Sequence, residues 1–236
     1  MISRKEIINI IILSIIVILI YCLLKYLNNR NKIIIDSTGF LEKNILSKKE
    51  CNKLINLSKK YTFTTDEEPV DGKPVYQIDI ITSKNKIDNP NLWKEIQPIY
   101  EEKLIPIMKH IPWLSTLNYT LDFVFLKRYR PDERTYLGLH TDDNFFTIAI
   151  LLSSINDFSG GELYIFNTSK TTQYMKIYED MDNTEKDQFI KNYKKLPVIN
   201  YNQGDMVAYT GDTHLHGTLP VTQGERYVLI FFFDKL

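Results

Sequence analysis

Cysteine is nearly absent from this chain of 236 residues. Of the two present, Cys22 lies in an apolar run and Cys51 stands alone. A disulfide framework is thereby excluded, as is any cysteine-rich zinc or iron–sulfur site. Net charge is absent as well: 29 Lys and Arg balance 29 Asp and Glu. A nucleic-acid binder would carry a net basic surface, so no nucleic-acid partner is expected. Histidines number only four, and no internal repeat is visible. What the chain does contain is apolar and aromatic: 44% hydrophobic residues, with 15 Tyr and 12 Phe. That composition suits a packed, β-rich core. The length allows one sizeable domain plus an appendage.

The appendage comes first. Residues 7–24 read IINIIILSIIVILIYCLL, without a charge, between Arg4-Lys5 and Lys25. Eighteen helical residues span about 27 Å, close to a bilayer core. A signal-peptide core is usually shorter and ends at a small-residue cleavage site, and YCLLKYLNN offers none. The expected organisation is a short tail (1–6), a single-pass transmembrane signal-anchor (7–27), a linker with a first strand near 33–40 (28–46), and a globular domain (47–236). Basic residues flank both ends of the apolar run, so lumenal and cytosolic placements of that domain stay open. Sequons at Asn56, Asn118 and Asn167 do not decide between them, and the lack of disulfides leans weakly to the cytosol.

Within the domain, SKKE (47–50) has the form of a capping box and predicts a helix over 48–60. Residues 66–74, DEEPVDGKP, predict a loop, and VYQIDII (75–81) a strand. Asn89-Pro90 predicts a helix start; Pro98 and Pro106 are expected to bend or interrupt that helix. From there the pattern turns to β. Strands are predicted at 121–129, 145–153, 161–166, 205–210 and 227–233, with PVTQGE (220–225) as a turn and one short helix near 182–193 in the polar stretch 167–203. The fold class expected is mostly β with flanking helices, a sandwich or jelly roll with helices on one side.

Two segments carry chemistry. In LHTDDNFFT (139–147), His140 and Asp142 are two apart and share a face of an extended chain, while Asp143 points to the other. In THLHGTLPVTQGERY (213–227), two further histidines precede Arg226 at the start of the last strand. Two imidazoles and one carboxylate make a facial triad that leaves positions open on a non-haem Fe(II). A guanidinium at the far end of the pocket would grip a carboxylate.

Together with VYQIDI, Trp93, FVFLKRYRPDE and FSGGELYIF, these segments resemble the Fe(II)- and 2-oxoglutarate-dependent dioxygenases. The likeness is to the catalytic domain of procollagen lysyl hydroxylases, and more distantly to prolyl 4-hydroxylases. It covers about residues 70–236. It implies a double-stranded β-helix core over roughly 120–236. It implies His140, Asp142 and His216 as metal ligands and Arg226, ten residues after His216, as the clamp for 2-oxoglutarate. His214 is left as a supporting or packing residue. Tyr129 takes a position where relatives place a cosubstrate-contacting tyrosine, though an ordinary core tyrosine fits as well; Thr147 would line the pocket. The implied reaction hydroxylates an unactivated C–H bond, with succinate and CO2 released and ascorbate sustaining Fe(II). A lysyl or prolyl side chain of a peptide or protein is the implied substrate, and a homodimer is a possible assembly. Rival readings are a small-molecule or lipid hydroxylase and a non-catalytic β-helix binding module. A zinc site would accept the same three ligands but leaves Arg226 without a role.

Overall fold

The computed structural model describes residues 11–20, 32–83, 86–193 and 195–236, apart from the side chains of 172 and 176–179. The chain forms two compact units, Met1–Ile33 and Ile34–Leu236. Residues 11–20 of the first are helical (α1) and exposed. The rest of the expected span 7–27 lies outside the described residues. Among the described residues no helix is long and apolar enough to cross a membrane.

Two strands, β1 (Lys32–Asp36) and β2 (Gly39–Glu42), stand where one was expected. The break has a local cause. Asp36 Oδ1 accepts the Thr38 amide at 2.8 Å and turns the chain at DSTG. Helix α2 (Lys48–Ser58) begins as its sequence requires, with Ser47 and Glu50 capping each other's backbone amides. After β3 (Gln77–Thr82) and β4 (Lys86–Ile87) comes α3 (Pro90–Ile99), capped by Asn89. Residues 100–104 form a π-helical turn, in which the Ile105 amide reaches back five residues to Tyr100, and α4 (Ile105–Lys109) follows. The rod thus changes register just ahead of Pro106, whose ring nitrogen has no proton to donate.

The strands β5 (Tyr119–Tyr129), β6 (Phe146–Leu151), β10 (Met206–Thr210) and β13 (Arg226–Lys235) form the middle of an antiparallel eight-stranded sheet. Its order is β1-β2-β10-β6-β13-β5-β3-β4. Both faces of this sheet are covered, and the side-chain alternation shows how. Phe146, Ile148 and Ile150 of β6, with Leu229, Phe231 and Phe233 of β13, pack with Leu54, Leu92, Ile96 and Leu104 of the helical side. The alternate residues Ala149, Leu151, Val207, Tyr209 and Val228 face the other way. They meet Leu163 and Ile165 from a smaller layer made of β7 (Phe158–Gly160), β8 (Leu163–Ile165), β9 (Val198–Ile199), β11 (His216–Thr218) and β12 (Val221–Gly224). That layer is two short sheets, β11-β8-β9 and β12-β7. The result is a mostly β, jelly-roll architecture.

Three expectations change in detail. The stretch 161–166 holds only a three-residue strand, because Gly160 and Gly161 both take positive φ, +74° and +71°, and turn the chain between β7 and β8. PVTQGE is largely strand: β12 pairs with β7, and Gly224 (φ +73°) provides the turn. The 167–203 stretch holds two helices, α5 (Thr168–Glu179) and α6 (Asn183–Asn192). Only α6 has the Asp182–Glu185 capping box that advertises a start. The start of α5 rests on the Asn167 side chain, which accepts the Lys170 amide at 3.0 Å. Phe166, Tyr174, Phe189 and Tyr193 pack edge to face into a small core of their own.

Candidate metal centre

His140 and His216 come from segments far apart in sequence and are locked together by the backbone. Each donates its amide to the other's carbonyl at 2.9 Å. Antiparallel pairing puts both imidazoles on one side, with ring centroids 4.2 Å apart. Asp142 reaches the same point because its own amide is held by the Gly211 carbonyl at 3.0 Å. Gly211 tolerates no side chain: a Cβ there would lie 2.5 Å from the Asn144 carbonyl oxygen. Ligand atoms of His140, Asp142 and His216 all fall within 4.8 Å of one another. Among the described residues, this is the group of histidine and carboxylate side chains arranged to hold a metal ion. Asp143 is exposed, as the alternation required.

The chemistry of each donor is set by what holds it from behind. His140 Nδ1 lies 2.8 Å from the Gly138 carbonyl and His216 Nδ1 lies 2.9 Å from the His214 carbonyl. A carbonyl only accepts, so both Nδ1 atoms carry the proton and both Nε2 atoms present a lone pair. Those Nε2 atoms stand 3.4 and 3.5 Å from Asp142 Oδ1. The other carboxylate oxygen, Oδ2, accepts from the Thr147 hydroxyl at 2.6 Å. Thr147 therefore braces Asp142 in addition to lining the interior. Asn144 Nδ2 donates to Thr147 in turn, at 3.1 Å.

Burial pushes the His216 imidazole down to about 4, against the pull of Asp142. For Asp142 burial works the other way, yet His216, His140 and the Thr147 hydroxyl bring its carboxyl down to about 2. At neutral pH the group presents a neutral His216 and an ionised Asp142, the forms in which imidazole and carboxylate bind metals. Tyr209 lies against His216 with its ring tilted by 57°, centroids 4.8 Å apart. Burial and then the Asp142 charge push its phenol well above the usual range, so it stays protonated.

Arg226 opens β13 directly opposite Tyr129 of β5. Its side chain is 2% exposed, and its guanidinium lies 5.4 Å from the Tyr129 ring centre. Nη2 donates to Tyr201 Oη at 2.6 Å, and Nε is buried without a hydrogen-bond partner. A buried cation satisfied by one phenol is expensive, which marks the spot for an anion. Leu151, Val207, Val228, Leu163 and Ile165 line the same interior. Tyr201 and Tyr209 were not singled out from sequence. Tyr209 follows from the alternation of DMVAYT, which sends Val207 and Tyr209 to one face. Tyr201 sits between β9 and β10 in NYNQGD, where no periodicity marks an inward position.

No family model matches the sequence, and no curated protein matches it. Solved structures do. A viral collagen prolyl hydroxylase from Paramecium bursaria Chlorella virus-1, in complex with 2-oxoglutarate, is 19% identical with a TM-score of 0.52; the match covers 84% of this chain and 97% of that one. HygX from Streptomyces hygroscopicus, with nickel and 2-oxoglutarate bound, is 15% identical with a TM-score of 0.58 over 85% and 84%. A Trichoplax adhaerens prolyl hydroxylase, in complex with a hypoxia inducible factor peptide fragment, is 11% identical with a TM-score of 0.56 over 84% of each chain. At such identities the likeness is one of fold.

Proposed function

We propose that this chain is an Fe(II)- and 2-oxoglutarate-dependent dioxygenase that hydroxylates an unactivated C–H bond, with a lysyl or prolyl side chain of a peptide as substrate. The observation that carries the reading is that the His140–Asp142–His216 group and the buried, under-satisfied Arg226 flank one core cluster, through Tyr209 beside His216 and Tyr201 on Arg226. The donor set fits a divalent iron: two imidazole nitrogens and one carboxylate oxygen, which would leave other positions to other ligands. Iron and 2-oxoglutarate would supply the oxidising power, consuming O2 and the cosubstrate and releasing succinate and CO2 as one oxygen atom enters the substrate.

The chain's own residues do the rest. The carbonyls of 138 and 214 keep both imidazoles aimed, and Thr147 occupies Oδ2 so that Oδ1 faces the metal position. Arg226, with the Tyr201 hydroxyl beside it, receives the remote carboxylate of 2-oxoglutarate, while the apolar lining keeps water out. A peptide substrate is supported by the sequence likeness to lysyl hydroxylases and by the two prolyl hydroxylases among the similar folds. From sequence alone we infer in addition that residues 7–27 anchor the enzyme in a membrane, that ascorbate sustains turnover, and that a homodimer forms.

The test incubates the full chain with Fe(II), 2-oxoglutarate, ascorbate, O2 and a mixed set of lysine- and proline-bearing peptides. A one-oxygen mass gain mapped to Lys or Pro, with matching succinate, is expected. Succinate without peptide oxidation would redirect the search to small molecules or lipids. Neither product from folded, iron-loaded protein would leave the β-helix as a binding module.

A further inference from the structure

Asp36 lies at the end of β1, remote in sequence from His140, Asp142 and His216, yet donors from three separate segments converge on it. Oδ1 accepts from the Thr38 amide at 2.8 Å. Oδ2 accepts from the Thr168 amide at the start of α5, at 2.8 Å, and from His214 Nε2 at 3.1 Å. His214 is fully buried, and its Nδ1 lies 3.0 Å from the Thr210 carbonyl and 2.9 Å from the Thr210 hydroxyl. The space is shaped for this ring: a Cβ on Gly39 would lie 3.1 Å from Nε2. The His214 carbonyl is the acceptor that holds His216 Nδ1. Between the two histidines, the Leu215 amide donates to Thr171 Oγ1 of α5 at 3.0 Å, and the Leu215 carbonyl accepts from Phe166 at 2.9 Å.

We propose that Asp36 is a positioning residue for the metal centre: by gripping the His214 imidazole and the start of α5, it fixes the backbone carbonyl that orients His216. The inference rests on the metal-centre reading and adds to it a contribution from the first strand and from α5. An imidazole ligand is aimed by the hydrogen bond at its other nitrogen, and that acceptor is only as steady as its own residue. His140 depends on Gly138, which has no side chain to anchor it. His216 depends on residue 214, whose side chain is tied to a strand 178 residues away. A residue at 214 that only filled volume would not need a carboxylate across the fold.

The experiment uses the full chain in mild detergent with Asp36→Asn, which keeps the shape but replaces one acceptor oxygen by an NH2 group that, in either flip, faces a donor. Co(II) is the probe. Three quantities are read: Co(II) affinity with its visible ligand-field spectrum, the ring-nitrogen proton of His216 in metal-free protein by histidine 1H–15N spectra, and the metal-free unfolding midpoint. The variant is expected to fold, to bind Co(II) roughly 10–100-fold more weakly with an altered spectrum, and to lose the single Nδ1–H form of His216. Co(II) affinity, spectrum and tautomer all matching the parent would overturn the proposal. If Asp36→Asn does not fold, His214→Gln is read the same way; failure of both to fold would make Asp36 a structural pin and end the proposal. A parent protein that binds no Co(II), with the tautomer still lost in Asp36→Asn, would remove the metal-centre reading and leave the positioning of His216 standing.

Discussion

The two histidines of THLHG differ in what their rings face, and their substitutions should differ accordingly. On the proposed function, His216→Ala removes a metal donor, so turnover should vanish, whereas His214→Ala should leave a measurable fraction. Equal loss in steady-state assays would overturn the assignment. Arg226→Ala removes a buried charge-assisted contact of roughly 3 kcal/mol, which corresponds to a rise of about 100-fold in the 2-oxoglutarate requirement, with iron binding largely kept. Unchanged dependence on 2-oxoglutarate would discard the clamp. His216 also makes stability depend on pH. Its folded value of about 4 lies below the ordinary 6.5, so between these values the unfolded chain binds more protons. Metal-free protein should therefore lose stability as pH falls from about 6.5 towards 4, and urea midpoints measured across that window should flatten in His216→Gln. That His140 and Asp142 would meet was readable in the sequence, because an H-x-D pair needs only alternation to share a face. The bracing was not readable: Thr147 looked like a pocket residue, and nothing in NYNQGD announced that Tyr201 would meet Arg226.

Local signals were legible wherever a side chain caps or breaks an element. The capping box at Ser47 and the Asn89-Pro90 pair gave helix starts that the structure shares, and the helix expected near 182–193 is α6, opened by an Asp182–Glu185 box. Helix α5 escaped because its opening cap is a lone Asn167 and its apolar residues make no strong stripe. The split of β1 from β2 escaped because a two-residue turn hides easily in a run of strand formers. Packing of α3 against the sheet should dominate stability. Ile96 is fully buried there, and Ile96→Ala should lower unfolding free energy by about 2–5 kcal/mol in denaturant titrations. Gly211→Ala forces a Cβ against the Asn144 carbonyl and should displace the Asp142 turn. Weakened Co(II) binding with unchanged far-ultraviolet dichroism is expected, and parent-like binding would show that the turn can yield.

Over the whole molecule, the layering followed from the change of period along the chain, helices first and strands after. The two sheets of the smaller layer did not, because their strands are only two to four residues long and carry too little pattern to read. The interior they close holds an under-satisfied cation and a cluster of lone pairs at once. Occupied by metal and 2-oxoglutarate at about 100 times their dissociation constants, such an interior gains roughly 2.7 kcal/mol per linked ligand, readable as a raised melting temperature. The backbone bridge between His140 and His216 has a different consequence. Each amide is shielded from solvent by the other residue's carbonyl, at 2.9 Å in both directions. Neither proton can reach water until the pair separates. The two sites, 76 positions apart in the chain, should therefore trade hydrogen for deuterium on a single clock.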